Sequence, residues 1–138
     1  MWWVYALLSA LFAALTAIFA KVGIKGVDSD LATAIRTVII LIVAWLIVFF
    51  RGSSQSITSL TKHSLIFICL SGIATGLSWI FYFRALQVGK VSQVAPVDKL
   101  SVALAIILST LFLKEVLTIK TAIGALLIIA GTVVLILN

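Results

Sequence analysis

Four charged side chains fall inside otherwise apolar stretches of this chain: Arg36, Arg84 and the adjacent pair Asp98 and Lys99. Ionisable groups at membrane depth are rare, face protein or water, and mark binding sites or proton relays by default. Residues of these types can hold a charged solute, carry a coupling proton or bridge two helices. Arg84 lies near a span end and can reach the headgroups; Arg36 and Lys99 reach them less easily. Asp98 is too short to do so and needs a basic or hydrogen-bonding partner within the protein. Arg36 is the first choice and Arg84 the next. Neighbouring helical residues point about 100° apart, which makes Asp98 and Lys99 poor partners for each other.

The aspartate and lysine follow the single proline, in VSQVAPVDKLS at residues 91–101. Pro96 lacks a backbone donor and clashes with the preceding turn, so it kinks its helix or delays the helix start. Carbonyls freed near residue 92 are tolerated only where they face protein or water. Ser92, Gln93 and Ser101 supply a polar lining for such a place. A kinked, polar half-helix beside charges is a common construction for a solute site in the membrane.

The elements that must position these residues follow from composition. Of 138 residues 64% are hydrophobic and only 10% charged, with a mean hydropathy of +1.35. Soluble domains run near 45–50% apolar and about 25% charged, so the pattern implies an all-α integral membrane protein. A crossing helix needs about 20 largely apolar residues. Five runs meet that length, at residues 2–20, 31–50, 64–87, 91–113 and 118–137. The breaks KVGIKGVDSD, RGSSQSITSLTKH, QVGKVS and KEVLTIK carry the glycine, serine and charge expected of surface turns. None of the runs alternates polar with apolar residues, which argues against a barrel. Apart from these runs and breaks nothing divides the chain, and one domain over residues 1–138 is expected. The N-terminal MWWVYALLSALFAALTAIFA has no basic leader and an apolar stretch too long for a signal peptide, so it reads as a retained helix.

Composition also removes several chemistries. The net charge of +6 comes from basic residues scattered singly between apolar runs, which suits loops and anionic lipid rather than nucleic acid. The lone Cys69 and lone His63 offer no disulfide and no metal cluster. No phosphate-cradling glycine loop, HExxH or nucleophilic triad is present, and four acidic residues are too few for a hydrolase centre. Neither an enzyme nor a bound cofactor or metal is expected.

With five spans the termini lie on opposite sides. On the N-terminal side the loops hold Arg51, Lys62, Lys114 and Lys120; the other side holds Lys21, Lys25 and Lys90. Four against three is almost no bias under the positive-inside rule. The chain therefore either inserts with its tail inside or inserts both ways, and the second would permit an antiparallel homodimer. At about 1.5 Å per residue, Arg36 and Asp98 lie about 8 and 10 Å from their span ends, and with Arg84 and Lys99 all four fall in the half opposite the N-terminus. A lone five-helix unit encloses little, so a homodimer is expected. Close packing of small residues drives helix association in lipid. Gly72 and Gly76 form GxxxG in the third span, while Gly124 and Gly131 share a face of the fifth, where dimer contact is placed. Trp2, Trp3 and Tyr5 suit the interface belt. Trp79 and Tyr82 share a face in the third span and can wall a cavity.

The stretch FYFRALQVGKVSQVAPVDKLSVALAIILSTLFLKEVLT, followed by GALLIIAGTVVLIL, resembles the end of one repeat in the EamA group of the drug/metabolite transporter superfamily. The pattern is an AL..G span end, a VAP helix start, an LF..E end at Leu111, Phe112 and Glu115, and a Gly-rich last span; Arg36 matches a basic residue early in the second span. The resemblance runs over essentially the whole chain. It implies a fold of one five-span repeat where typical members have ten spans in two inverted repeats, and transport of small metabolites, often outward, by alternating access. Related small multidrug exporters use a glutamate in the first span. That span has no acid here, which makes Asp98 the sole carboxylate expected within any span.

The reading that results is an inner-membrane, multi-pass transporter subunit acting as a dimer on a small-molecule substrate. Arg36, Trp79, Tyr82, Gln93, Asp98 and Lys99 are the substrate-site residues, with Lys99 drawing in anionic or zwitterionic solutes. The rivals are a non-transporting assembly or scaffold subunit and one half of an obligate heterodimer.

Overall fold

A computed structural model describes residues 1–53, 57 and 59–137. Ser54, Gln55, Ser56 and Thr58 of the second expected break, and Asn138, lie outside the described residues. The helices are α1 (Trp2–Gly23), α2 (Ser29–Phe50), α3 (Lys62–Val88), α4 (Val91–Asp98), α5 (Leu100–Phe112) and α6 (Ile119–Ile136), and no strand occurs among the described residues. Five stretches are long and apolar enough to cross a membrane: α1, α2, α3, Val91–Phe112 and α6. The all-α, five-span architecture expected from the apolar runs is therefore present. The fourth span is two helices in sequence, α4 and α5, rather than one.

Helix starts follow from short polar side chains in the breaks. Asp28 caps α2, its Oδ1 accepting from the Asp30 and Leu31 N–H groups at 3.0 Å each. The Thr61 hydroxyl accepts from Ser64 N–H at 3.1 Å at the start of α3, and the Thr118 hydroxyl accepts from Thr121 N–H at 3.2 Å at the start of α6. Past the C-cap Arg51, Gly52 takes φ +67°, a left-handed position that costs a residue without Cβ little. Lys114 occupies the corresponding conformation after α5, at φ 55°.

The chain divides into two compact units, Ala20–Gln87 and Met1–Phe19 with Val88–Asn138. In the first, burial concentrates where the α1–α2 connection meets the last turns of α3: Ile24, Ser29, Thr33, Phe83 and Leu86 are buried. Lys21 Nζ donates to the Leu86 carbonyl, and Gln87 Nε2 donates to the Val27 carbonyl at 2.8 Å. The lysine thus satisfies one of the carbonyls that a helix C-terminus leaves unpaired, where positive charge is also favoured.

In the second unit α6 packs against α4 and α5. α4 begins at Val91 with extended Lys90 as its cap, so Pro96 lies inside the helix and not at a delayed start. The helix then breaks at Lys99, whose N–H is shared between the Ala95 and Pro96 carbonyls at 3.3 and 3.0 Å. The buried Thr132 hydroxyl of α6 donates to the Ile128 carbonyl at 2.8 Å and approaches the Pro96 carbonyl at 3.2 Å. One hydroxyl thereby ties the last span to the proline turn.

Away from these places the spans expose long rows of Leu, Ile, Val and Phe. In lipid this is no defect, since apolar side chains gain nothing by leaving hydrocarbon for one another. Replacing Thr132 with Val keeps the shape and removes the tie; a loss of about 1 kcal/mol of stability, read from an SDS titration of the protein in maltoside micelles, is expected.

Candidate functional site

Each of the four intraspan charges has a defined environment, and each differs from the expected one. Arg84, on the last turns of α3, makes a two-pronged bridge to Asp30: Nε donates to Oδ1 at 3.2 Å and Nη2 to Oδ2 at 2.6 Å. Both side chains are about half exposed, at 58% and 48%, so the bridge sits at the rim of its unit and not in a core. Asp30 was read as part of a loop, because the second span was begun at residue 31. The Asp28 cap instead starts α2 at Ser29 and brings Asp30 into its first turn. Asp98 is therefore not the sole carboxylate within a span. The signal for Asp30 was available in VDSDL, where a capping aspartate precedes a second acid by two residues.

Arg36 lies two turns into α2 and is stacked on aromatic rings of α3. Its guanidinium carbon is 4.3 Å from the Trp79 ring centroid and 4.8 Å from that of Phe83. Trp79 and Phe83 are four apart and so share a face of α3. Contacts of this kind contribute about 0.5–2 kcal/mol each, more where water is excluded. Arg36 Nη1 is buried and has no hydrogen-bond acceptor among the described residues. Tyr82 is half-buried and lies edge-on to Phe83, with centroids 6.2 Å apart. The aromatic contact to Arg36 is thus made by Trp79 and by Phe83, which the Trp79–Tyr82 pairing overlooked.

Asp98 pairs with Lys99: Nζ lies 3.1 Å from Oδ2. The expected partner was Arg36 and then Arg84, and the neighbours were judged too divergent in direction. The correction comes from the break at Lys99. Asp98 ends α4 and Lys99 stands between α4 and α5, so regular helical divergence does not hold there, and the long lysine folds back. Gln93 lies one turn before Pro96, where Lys90, Ser92, Gln93 and Leu135 line a pocket of about 140 Å³.

The small-residue faces are open. A Cβ built on Gly72, Gly76, Gly124 or Gly131 would meet no atom within 4 Å. No group of three or more His, Cys, Asp or Glu able to hold a metal occurs among the described residues.

A stacked arginine, two intraspan ion pairs and a broken fourth span suit solute binding in the membrane, and the family comparison decides the setting. The profile of the EamA-like transporter family matches residues 1–137. The chain belongs to the EamA-like transporter family. An uncharacterized transporter from the cobO 3′ region of Sinorhizobium sp. is 48% identical over 134 residues, covering 97% of this chain and 95% of that protein. An uncharacterized protein of Methanocaldococcus jannaschii is 32% identical over 129 residues, covering 94% and 91% of the two chains. No solved structure matches. This EamA-like protein is thus a multi-pass membrane transporter, and both relatives are close to one five-span repeat in length. Within it, the Asp30–Arg84 bridge joins the start of α2 to the end of α3. The charge swap Asp30→Arg with Arg84→Asp should recover most of the thermal stability that either single change removes, as followed by size-exclusion chromatography after heating; singles and swap behaving alike would deny the bridge that role.

Proposed function

We propose that this EamA-like protein exports a small metabolite across the cell inner membrane by alternating access, working as an antiparallel homodimer of five-span units. The observation that carries the reading is the length of the relatives: matched over 95% and 91% of their own chains, each is close to one repeat long. A device built from two inverted repeats can be assembled from one chain inserted in both orientations. The near-equal loop charges, four against three, favour insertion both ways. The open Gly124–Gly131 face of α6 supplies a close-packing surface for the second copy. The proposed solute contacts are Arg36, Trp79 and Tyr82 in Ala20–Gln87, and Gln93, Asp98 and Lys99 in the other unit.

Topology tests the pairing. Reporters fused at the C-terminus should give signal on both sides of the membrane, and cysteines placed at Gly124 and Gly131 should cross-link two copies. A single orientation ends the antiparallel dimer. Flux is read separately, as solute counterflow in proteoliposomes holding only this protein; its absence with a stable hetero-complex would favour the assembly-subunit reading.

Asp98 is the carboxylate placed at the fourth-span break, and we assign it the coupling proton. Asp98→Asn should abolish flux driven by a pH gradient, and the double change Asp98→Asn with Lys99→Gln should not restore it. Restoration by the double change would mean that the pair only balances charge.

A further inference from the structure

We propose that Arg36 is an oxyanion-binding group, taking a carboxylate or phosphate of the bound molecule while Trp79 and Phe83 flank its apolar part; this rests on the transporter reading above. The starting point is the balance of charge within the spans. Asp30 is taken by Arg84 and Asp98 by Lys99. Of the two remaining acids, Asp28 caps α2 and Glu115 lies between α5 and α6. Among the described residues Arg36 makes no ion pair, and both acids within the spans are already taken by other cations.

Arg36 does not behave as a side chain escaping to the headgroups. It is seven residues beyond the start of α2, about 10 Å along the helix, and its guanidinium is held against α3 by two rings. Stacking uses the faces of a guanidinium and leaves its in-plane N–H donors for an acceptor. At Nη1 no described residue provides one, although that atom is buried. The side chain as a whole is only half-buried. A planar fork of donors, fixed in orientation and lacking a carboxylate of its own, is suited to two-pronged binding of an oxyanion. The rings beside it favour an anion carrying an apolar group. Lys99, first cast as the residue that draws in an anion, is the weaker choice because Asp98 already neutralises it.

The four tryptophans are Trp2, Trp3, Trp45 and Trp79, so changing the first three to Phe leaves Trp79 as a reporter at the site. In phosphate-free maltoside micelles, the probes are benzoate, inorganic phosphate and dioleoylphosphatidylglycerol, with benzylammonium as the cationic counterpart. Benzoate should change Trp79 emission saturably, and Arg36→Gln should weaken that binding by about tenfold or more, the loss of one charge-assisted contact. Arg36→Lys, which keeps the charge and loses the fork, should fall between and covers the case in which the glutamine variant does not fold. Saturation by phosphatidylglycerol alone supports the same oxyanion site with a lipid headgroup as its source. Absence of saturation by all three anions, an equal response to benzylammonium, or undiminished binding by both variants overturns the proposal. Counterflow without anion binding would remove Arg36 from this role and leave transport standing; anion binding without counterflow would do the reverse.

Discussion

A charge in hydrocarbon must be balanced where it stands, because neither water nor a distant counter-ion can screen it there. Much of the specific structure in this chain answers that demand. Asp30 and Arg84 meet through two hydrogen bonds, Asp98 is met by its own neighbour, and Arg36 receives the faces of two rings. The three solutions differ in strength. A two-pronged carboxylate–arginine pair is geometrically demanding and charge-neutral. An aromatic stack offsets only part of the cost of a cation and leaves the charge itself in place. Arg36 is consequently an intraspan charge with no ion-pair partner among the described residues.

The remaining cohesion follows from what lipid withholds. Apolar contact gives little preference for protein over acyl chains, and long rows of Leu, Ile and Val indeed stay exposed. Polar groups then carry a disproportionate share of the specificity. Thr33 and Thr132, both buried, turn their hydroxyls back to carbonyls of their own helices at 2.8 Å. Thr132 also reaches the carbonyl of Pro96, a residue that has lost its own donor and bends its helix. Lys21 and Gln87 make the equivalent closures at the end of α3.

The architecture was legible because its signal is repeated. Twenty apolar residues in succession admit few readings, and the five spans lie within a few residues of their expected ends. The side-chain partners were less legible, for identifiable reasons. Asp30 was lost to a boundary drawn two residues late, since the capping role of Asp28 was not weighed. The Asp98–Lys99 pair was dismissed on regular helix geometry, which ceases at the break that Pro96 itself made predictable. Phe83 was passed over because a three-residue spacing to Tyr82 was preferred to the four-residue spacing from Trp79. In each case local backbone geometry, not residue chemistry, determined the partner.

The placement of these partners bears on how such a chain can work. In Ala20–Gln87 the fixed contacts gather at one end: Lys21 to Leu86, Val27 to Gln87, Asp30 to Arg84, and Arg36 to Trp79 and Phe83. They join the α1–α2 connection and the start of α2 to the last turns of α3 at successive depths. Toward the other end of α2 and α3, exposed apolar residues predominate. A pair of helices held this way is fixed by polar contacts at one end, while the connection between Phe50 and Lys62 joins them at the other. Alternating access requires elements that keep their internal geometry while their surroundings rearrange. In the proposed alternating access, the place of Arg36 near the pinned end would hold its donors in one orientation while the surroundings rearrange.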